Sequence, residues 1–235
     1  VEELLLDGER VIGVRCDRLG GEVYADVVVL ADGVNSTLAR KAGFHGELDA
    51  GNVALAVKEI LFLPEDVIQQ RFNIKEDEGV VIELMGKVTE GMVGTGFLYT
   101  NKESLTIGVG CMLSDFKANP LRTKPYELLE KLKKHPSIAP MIEGGEMKEY
   151  CAHLIPEGGF NAVPRIHGAG WLIVGDSGGF VNAVHREGSN LAMTSGRLAG
   201  ETVIALKAAG KEPSAAHLKL YKDKMDESFV MKDLK

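Results

Sequence analysis

Cysteine is scarce in this chain. Its 235 residues include three, Cys16, Cys111 and Cys151, far apart and none in a CxxC pair. That usage excludes a disulfide framework and fits a reducing cytoplasm. It also excludes a four-thiolate iron–sulfur cluster built from this chain alone. No signal peptide is visible, and no apolar run approaches the ~20 residues of a membrane span. A basic footprint for nucleic acid is missing as well: net charge is −7, with 27 cations and 34 anions mixed along the chain. The densest lysine cluster, "EKLKKH", reads as a solvated helix face. The first residue is valine, not methionine, and the chain opens directly in strand-like sequence. The expectation is a piece of something longer.

What is present is ample for a core: 45% of residues are apolar, which suits one large or two small domains. Val1 to Ala31 reads as a three-stranded meander. "EELLL" turns at Asp7-Gly8 into "RVIGVRC", and Gly20-Gly21 leads into "EVYADVVVLA". The tail "VVVLA" has the continuous β-branched character of a strand buried on both faces. In "ADGVNSTLARKAGF", Asn35 or Ser36 caps a short helix and Gly43 ends it.

Residues 49–160 change character. "VALAVKEI", "VVIELM", "GMVGTGFLYT" and "SLTIGVGCML" are strands without helical periodicity between the last three, which points to an antiparallel sheet in a separate lobe. "LFLPEDVIQQRF" interrupts it as a loop or short helix. "PYELLEKLKKH" is an amphipathic helix opened by Pro125, and Glu149 to Ile155 is a further strand.

Residues 161–212 hold a second buried strand, "WLIV", and a helix from Ser189 to about Ala209, closed by Lys207, Gly210 and Pro213. Ala192, Gly196, Ala199 and Val203 share one face, where small side chains bring the helix close to a sheet or a ligand. Arg197 and Glu201 lie on a more exposed face. Residues 213–235 begin a last helix with Leu218, Tyr221, Met225 and Phe229 as its apolar stripe.

Both buried runs end in an aspartate beside a glycine, "VVVLADG" and "WLIVGD". In open α/β sheets, ligands bind outside the carboxyl ends of the strands. Asp32 and Asp176 would point into such a crevice and accept hydrogen bonds from sugar-type hydroxyls. One Asp-Gly alone is a common turn signal. Two of them, each after a buried strand and before a helix, favour a cofactor. The connection "SGGFVNAVHREG" runs to about a dozen residues where two to six are usual. It is long enough to wrap a flat ligand and to deliver the helix start, Gly188-Ser189-Asn190, with its N–H groups and positive partial charge. The reduced flavin, anionic at its N1–C2=O edge, is such a ligand.

At these residues the sequence resembles a known family. "VVVLADGVNSTLARKAGF" resembles the Asp-Gly motif of the FAD-dependent hydroxylase and reductase superfamily, and "GWLIVGDSGGFVNAVHREGSNLAMTSGRLAGETVIAL" its Gly-Asp motif and flavin-facing helix. "GFLYTNKESLTIGVG", "HPSIAPMIEGGEMKEYCAHLIPEGGF" and "FVNAVHREGSNLAMTSGRLA" are similar to the FixC-like branch of the electron transfer flavoprotein–quinone oxidoreductase family, with geranylgeranyl reductases as cousins.

The resemblance implies an α/β (α+β) fold: a partial FAD/NAD(P)-binding Rossmann-like domain with an inserted antiparallel β-sheet substrate lobe. Residues 1–48 and 161–212 would form the FAD-binding part, 49–160 the lobe, and 213–235 the start of a C-terminal helical part. It implies FAD as cofactor, an electron transfer flavoprotein as donor, and quinone or a separate ferredoxin-like iron–sulfur protein downstream. The location implied is cytoplasmic, with a peripheral contact at the inner face of the membrane. Carried over by position, Gly175 and Asp176 hold the ribityl chain, and Gly188, Ser189 and Asn190 face the pyrimidine edge. Asp32 and Gly33 lie near the pyrophosphate, with Ser36 and Arg40 as support. No metal site is implied.

The family begins with a strand, a GxGxxG turn and a helix that bind the ADP half of FAD. No GxGxxG occurs in these residues; "GTGFLY" and "GDSGGF" lack its spacing. The expectation is therefore a fragment, inactive on its own. The alternatives are a geranylgeranyl-type isoprenoid reductase and a truncated lobe that binds no cofactor. His185 and Arg186 are the catalytic candidates. Against them stand a loop histidine bonded to backbone and an arginine paired with Glu187 or another loop carboxylate. Trp171 is expected to pack. Leu61, Phe62 and Leu63, with Phe97, Leu98 and Tyr99, either line a quinone channel or membrane-dipping edge, or fill the core.

Overall fold

The computed structural model describes residues 1–235. Its first elements follow from turn chemistry. Strands β1 (Glu3–Asp7), β2 (Arg10–Arg15) and β3 (Glu22–Tyr24) form an antiparallel meander, with Gly8 at φ 58° supplying the left-handed turn. The third strand does not run on into "VVVLA" as the sequence reading expects. The chain leaves the meander after Tyr24, and β4 (Val28–Leu30) pairs instead with a strand much later in the sequence. Helix α1 (Thr37–Lys41) follows, and Gly43 at φ 73° lies just beyond its end.

Residues Val53–Ile155 form a separate compact unit. Its elements are β5 (Val53–Phe62), α2 (Glu65–Phe72), β6 (Val81–Leu84), β7 (Gly94–Thr100), β8 (Ser104–Met112), α3 (Leu113–Ala118), α4 (Pro125–Lys133), α5 (Ala139–Ile142) and β9, which starts at Glu146 and runs to Pro156. The sheet order is β6-β7-β8-β5-β9, and β5 pairs with β8 along nine residues, Ala54 opposite Met112 through Phe62 opposite Ser104. Alternation along β8 sends Leu105, Ile107, Val109 and Cys111 into one core with Leu98, Ile68 of α2, and Leu128, Leu129 and Leu132 of α4. Lys133 fastens α4 to the sheet through an ion pair with the buried Glu59, 2.9 Å.

The aromatic and aliphatic residues considered for a quinone channel divide along this alternation. Leu61, Leu63 and Leu98 are core. Phe97 and Tyr99 take the opposite face, and Phe62 is exposed.

The other unit joins Val1–Asn52 to Pro156–Lys235. After β10 (His167–Gly168) and β11 (Trp171–Ile173) come α6 (Ser189–Ala208), α7 (Ala215–Glu227) and α8 (Phe229–Asp233). The small sheet runs β10-β11-β4, with β11 parallel to β4: Trp171 opposite Val28, Leu172 opposite Val29, Ile173 opposite Leu30. Strand β11 is buried on both faces as expected. Strand β4 is not: it pairs on one side only, and Val29 is 44% exposed.

Helix α6 also turns a different face inward. Leu191, Ser195, Leu198, Ala199, Thr202 and Leu206 are buried, while Gly196 is exposed with open space where a side chain would project. Leucine spacing, not the small-residue spacing, sets the rotation, because the larger side chains carry more burial free energy. In α7, Leu218, Tyr221 and Met225 are buried as expected, but the stripe passes to Val230, since Phe229 starts α8 and is 42% exposed. Trp171 packs: it is stacked on Phe44 at 4.1 Å with Arg165 near its ring.

Candidate functional site

Because β4 and β11 are parallel neighbours, their carboxyl ends open in the same direction. The pairing continues one step further, with the Val174 amide donating to the Leu30 carbonyl at 3.0 Å. The two aspartate motifs therefore emerge side by side, and hydroxyls stitch them together. The Ser177 hydroxyl lies 3.0 Å from both Asp32 Oδ1 and the Gly33 carbonyl. The Ser36 hydroxyl lies 3.1 Å from the carbonyls of both Gly33 and Ser177. The Leu38 amide donates to Asp32 Oδ2 at 3.0 Å.

Asp32 thus caps helix α1 while remaining exposed at the strand end. Of the two expected caps, Asn35 and Ser36, the N-cap position falls to Ser36, which adopts a left-handed φ of 42° and makes no side-chain cap bond. Its buried hydroxyl serves the link between the two motifs instead. Gly33, at φ 75°, has open space where a side chain would be. Arg40 is tied to Glu47 at 3.2 Å.

On the second motif, Gly175–Gly178 forms a single 3-10 turn. The Gly175 amide donates to Ser195 Oγ at 3.0 Å, which anchors the turn to the buried face of α6. Asp176, half-buried, stands one residue beyond that anchor. The long connection then folds around Asn182, a residue the sequence reading passes over. Asn182 is 6% exposed. Its Oδ1 accepts from the Val184 and His185 amides at 3.0 and 2.9 Å, and its Nδ2 donates to the Asp233 carbonyl at 2.8 Å. Its backbone exchanges both hydrogen bonds with Glu187.

The excursion from Ala183 to Arg186 is thus a short bulge closed at its base. His185 and Arg186 lie on its exposed outer side, with Arg186 at a left-handed φ of 56°. Glu187 Oε2 accepts from Asn190 Nδ2 at 2.8 Å. Arg186 acts electrostatically on Glu157: burial raises the Glu157 pKa, and the Arg186 charge works against that rise.

Gly188 is the N-cap of helix α6, which has no side-chain cap there and no carboxylate in its first turn. A helix of 20 residues with such a start offers amides and positive partial charge to a ligand. The site therefore combines two strand-end carboxylates, a left-handed glycine beside open space, and a helix start. That donor and acceptor set is chemically compatible with a cofactor that carries hydroxyls and an electron-rich edge.

The second unit carries its own candidate surface. Across the face opposite its core, Glu83, Phe97, Gly108 and Lys58 stand in one row over four strands. Tyr99 is in the next row and stacks with Phe97, centroids 6.0 Å apart. The Phe97 ring occupies the space beside Gly108: a Cβ there would sit 2.2 Å from Phe97 Cζ and 2.7 Å from Cε2. Glycine leaves the room that the ring takes, and Phe97 and Tyr99 form an aromatic shelf with their planes 18° apart.

Comparison with known proteins adds the following. Residues 54–155 match the ubiquinone-binding family of the electron transfer flavoprotein–quinone oxidoreductases. Protein FixC of Azotobacter vinelandii is 61% identical over 233 residues, 99% of this chain and 53% of the relative. The probable electron transfer flavoprotein-quinone oxidoreductase YdiS of Escherichia coli K12 is 41% identical over 237 residues, 100% of this chain and 54% of the relative. The chain thus spans about half the length of these curated relatives. Among solved structures, a geranylgeranyl bacteriochlorophyll reductase-like protein of Thermoplasma acidophilum superposes with a TM-score of 0.74 at 16% identity. The match covers 96% of this chain and 52% of that one. The flavin-dependent brominase Bmp2 superposes with a TM-score of 0.65 at 19% identity, covering 94% and 53%. At those identities the two structures establish the shared fold.

Proposed function

We propose that this chain, a homologue of the FixC proteins and of a probable electron transfer flavoprotein–quinone oxidoreductase, is part of an FAD-dependent oxidoreductase that passes electrons toward quinone. The observation that carries the reading is a coincidence of boundaries. The stretch matched to the ubiquinone-binding family, residues 54–155, is the second compact unit, Val53–Ile155, to within one residue. A sequence family that begins and ends with a folded unit supports a role of that unit in taking up a quinone. The Phe97–Tyr99 shelf beside Gly108 supplies an aromatic surface for its ring.

In this reading the other unit holds the flavin. Asp176, positioned by the Gly175–Ser195 bond, accepts from ribityl hydroxyls. Gly188, Ser189 and Asn190 present the start of α6 to the pyrimidine edge, where positive partial charge favours the reduced, anionic ring. Asp32 and Gly33 lie toward the pyrophosphate, with Ser36 and Arg40 behind them. FAD, when bound, supplies a centre that accepts two electrons and releases them singly or together. His185 and Arg186, exposed on the connection before α6, are the catalytic candidates on the flavin side of this unit. An electron transfer flavoprotein is the proposed donor, with a separate ferredoxin-like protein as a further partner.

The test uses the full-length protein loaded with FAD, photoreduced without oxygen and mixed with a water-soluble ubiquinone analogue. Saturable re-oxidation of the flavin by the analogue is the expected result. Indifference to the quinone, with re-oxidation by an isoprenoid double bond instead, would replace this reading with a reductase of the geranylgeranyl type.

A further inference from the structure

Within the unit that joins Val1–Asn52 to Pro156–Lys235, two segments meet on the last turn of α8. The Phe160 amide donates to the Leu234 carbonyl at 3.1 Å, and Asn182 Nδ2 donates to the Asp233 carbonyl at 2.8 Å. These are adjacent carbonyls at a helix C-terminus, where no donor from the helix itself reaches them. One bond brings in residues 156–163 and the other the bulge of residues 182–187, so α8 sets the two segments in register.

The first segment is fixed along its length. The Glu157 amide donates to the Asn52 carbonyl at 2.8 Å, and the Lys235 ammonium stands 4.9 Å from the centre of the Phe160 ring. Gly159 has φ 62° and ψ −162°, a combination open to glycine. At Gly158 a Cβ would lie 2.3 Å from Ala162 Cβ. The backbone beneath Glu157 therefore has little freedom.

The charged residues that the bulge and the helix end carry here are His185, Arg186, Glu187, Asp233 and Lys235. Of these, the Arg186 charge is the one that acts on Glu157. Burial is the larger influence on that half-buried carboxyl and raises its pKa; Arg186 opposes the rise. Arg186 itself is left-handed at φ 56°, two residues before the N-cap of α6. A side chain other than glycine is strained there, and attraction to Glu157 favours the conformation. An ionised carboxyl at position 157 loses solvation that a neutral amide would keep. A group that costs stability where an isosteric one would not points to a role beyond folding.

We propose that Glu157 is a positioning residue of the flavin site, one that holds Arg186 beside the start of α6 and offsets its positive charge there. This deepens the flavin reading above and rests on it. Arg186 and the amide end of α6 both favour negative charge on a bound ring. The carboxylate of Glu157 limits that preference and so sets the balance between the oxidised and reduced forms.

The first arm of the experiment needs no cofactor. The stability of this chain to urea is followed between about pH 4 and pH 8. For a carboxyl whose folded pKa is raised above the ordinary 4.5, stability is complete below the unfolded value and falls as pH climbs through the folded one. That fall is expected in the parent and absent in Glu157→Gln. It should be deeper in Arg186→Gln, where burial acts unopposed. Parent and Arg186→Gln profiles of the same shape would overturn the pairing.

The second arm measures the midpoint potential of the flavin in the full-length protein loaded with FAD. Glu157→Gln should favour the reduced form about threefold, the size expected for one partly exposed charge pair, and so shift the potential upward. Arg186→Gln should shift it downward, and Glu157→Asp, which keeps the charge, should restore the parent value. A merely structural Glu157 would weaken both redox forms alike, and that result overturns the proposal. If the parent binds FAD and Asp176→Ala weakens it while Glu157→Gln leaves the potential unmoved, only this proposal falls. If the parent takes up no FAD, the flavin reading falls and takes the proposal with it.

Discussion

The hydroxyl of Ser177 lies 3.0 Å from Oδ1 of Asp32, a contact between residues 145 positions apart. It links the loop after β4 to the loop after β11 where both carboxylate motifs leave the sheet. The same aspartate accepts the Leu38 amide at the start of α1, so one side chain sets both a helix cap and the spacing of two loops.

That double duty has a measurable size. Ser177→Ala should cost about 1 kcal/mol, the net worth of one hydrogen bond. Asp32→Ala should cost about 1–2 kcal/mol, because it also removes the cap. A double-mutant cycle by urea denaturation should return a coupling of about 1 kcal/mol. Strict additivity would mean that the contact contributes nothing.

Asn182 should be the most sensitive polar position in the long connection. Asn182→Ala leaves the Val184 and His185 amides and the Asp233 carbonyl without their partner and should cost about 2–3 kcal/mol. Hydrogen exchange at residues 183–187 should accelerate more than exchange in α6. A global loss of protection with no local excess would contradict this role.

Much of this was legible in the sequence, and the exceptions share a cause. The strands of the second unit, α4 and α6 follow from local periodicity and end signals. The adjacency of Asp32 and Asp176 follows from two similar strand ends. What failed depended on partners distant in sequence. Strand β4 looks like a doubly buried strand by composition, but the strand pairing leaves Val29 exposed. Ser36 looks like the cap of α1, but Asp32 reaches the Leu38 amide first and the Ser36 hydroxyl is drawn to Ser177. Asn182 carries no local signature, because its defining bond goes to Asp233 in the last turns of the chain. The rotation of α6 follows its leucines, so that Ala199 of the small-residue stripe is buried while Gly196 stands exposed.

Tyr221 should give the protein an alkaline limit. Its hydroxyl donates to the Ile173 carbonyl at 2.9 Å inside the core, and burial raises its pKa above the ordinary tyrosine value of 10.0. A group whose folded pKa is raised contributes stability that is complete below the unfolded pKa and lost as pH climbs through the folded one. Stability should therefore begin to fall above about pH 10. Tyr221→Phe should cost about 1 kcal/mol at neutral pH and flatten that alkaline slope. An unchanged slope in the variant would assign the alkaline loss to other groups.

Gly108 should be intolerant of any side chain. In Gly108→Ala the new Cβ would lie 2.2 Å from the Phe97 ring and 2.7 Å from the Val57 carbonyl oxygen, which is backbone and cannot move away cheaply. The expected cost is about 1–3 kcal/mol by thermal denaturation. Displacement of the ring should also weaken binding of a quinone analogue, as its removal in Phe97→Leu should. A variant as stable as the parent would show that the shelf is soft.

The most direct measurement is a visible difference spectrum of this chain titrated with FAD at equilibrium, in which weak binding still registers. A saturable flavin perturbation at one FAD per chain is expected, weakened at least ~tenfold by Asp176→Ala, a loss of about 1.4 kcal/mol. Arg197→Ala, which breaks an exposed ion pair on α6, should leave the titration unchanged. A flavin spectrum that does not saturate, or one that Asp176→Ala leaves intact, would contradict the assignment of the strand-end carboxylate and helix start to the flavin.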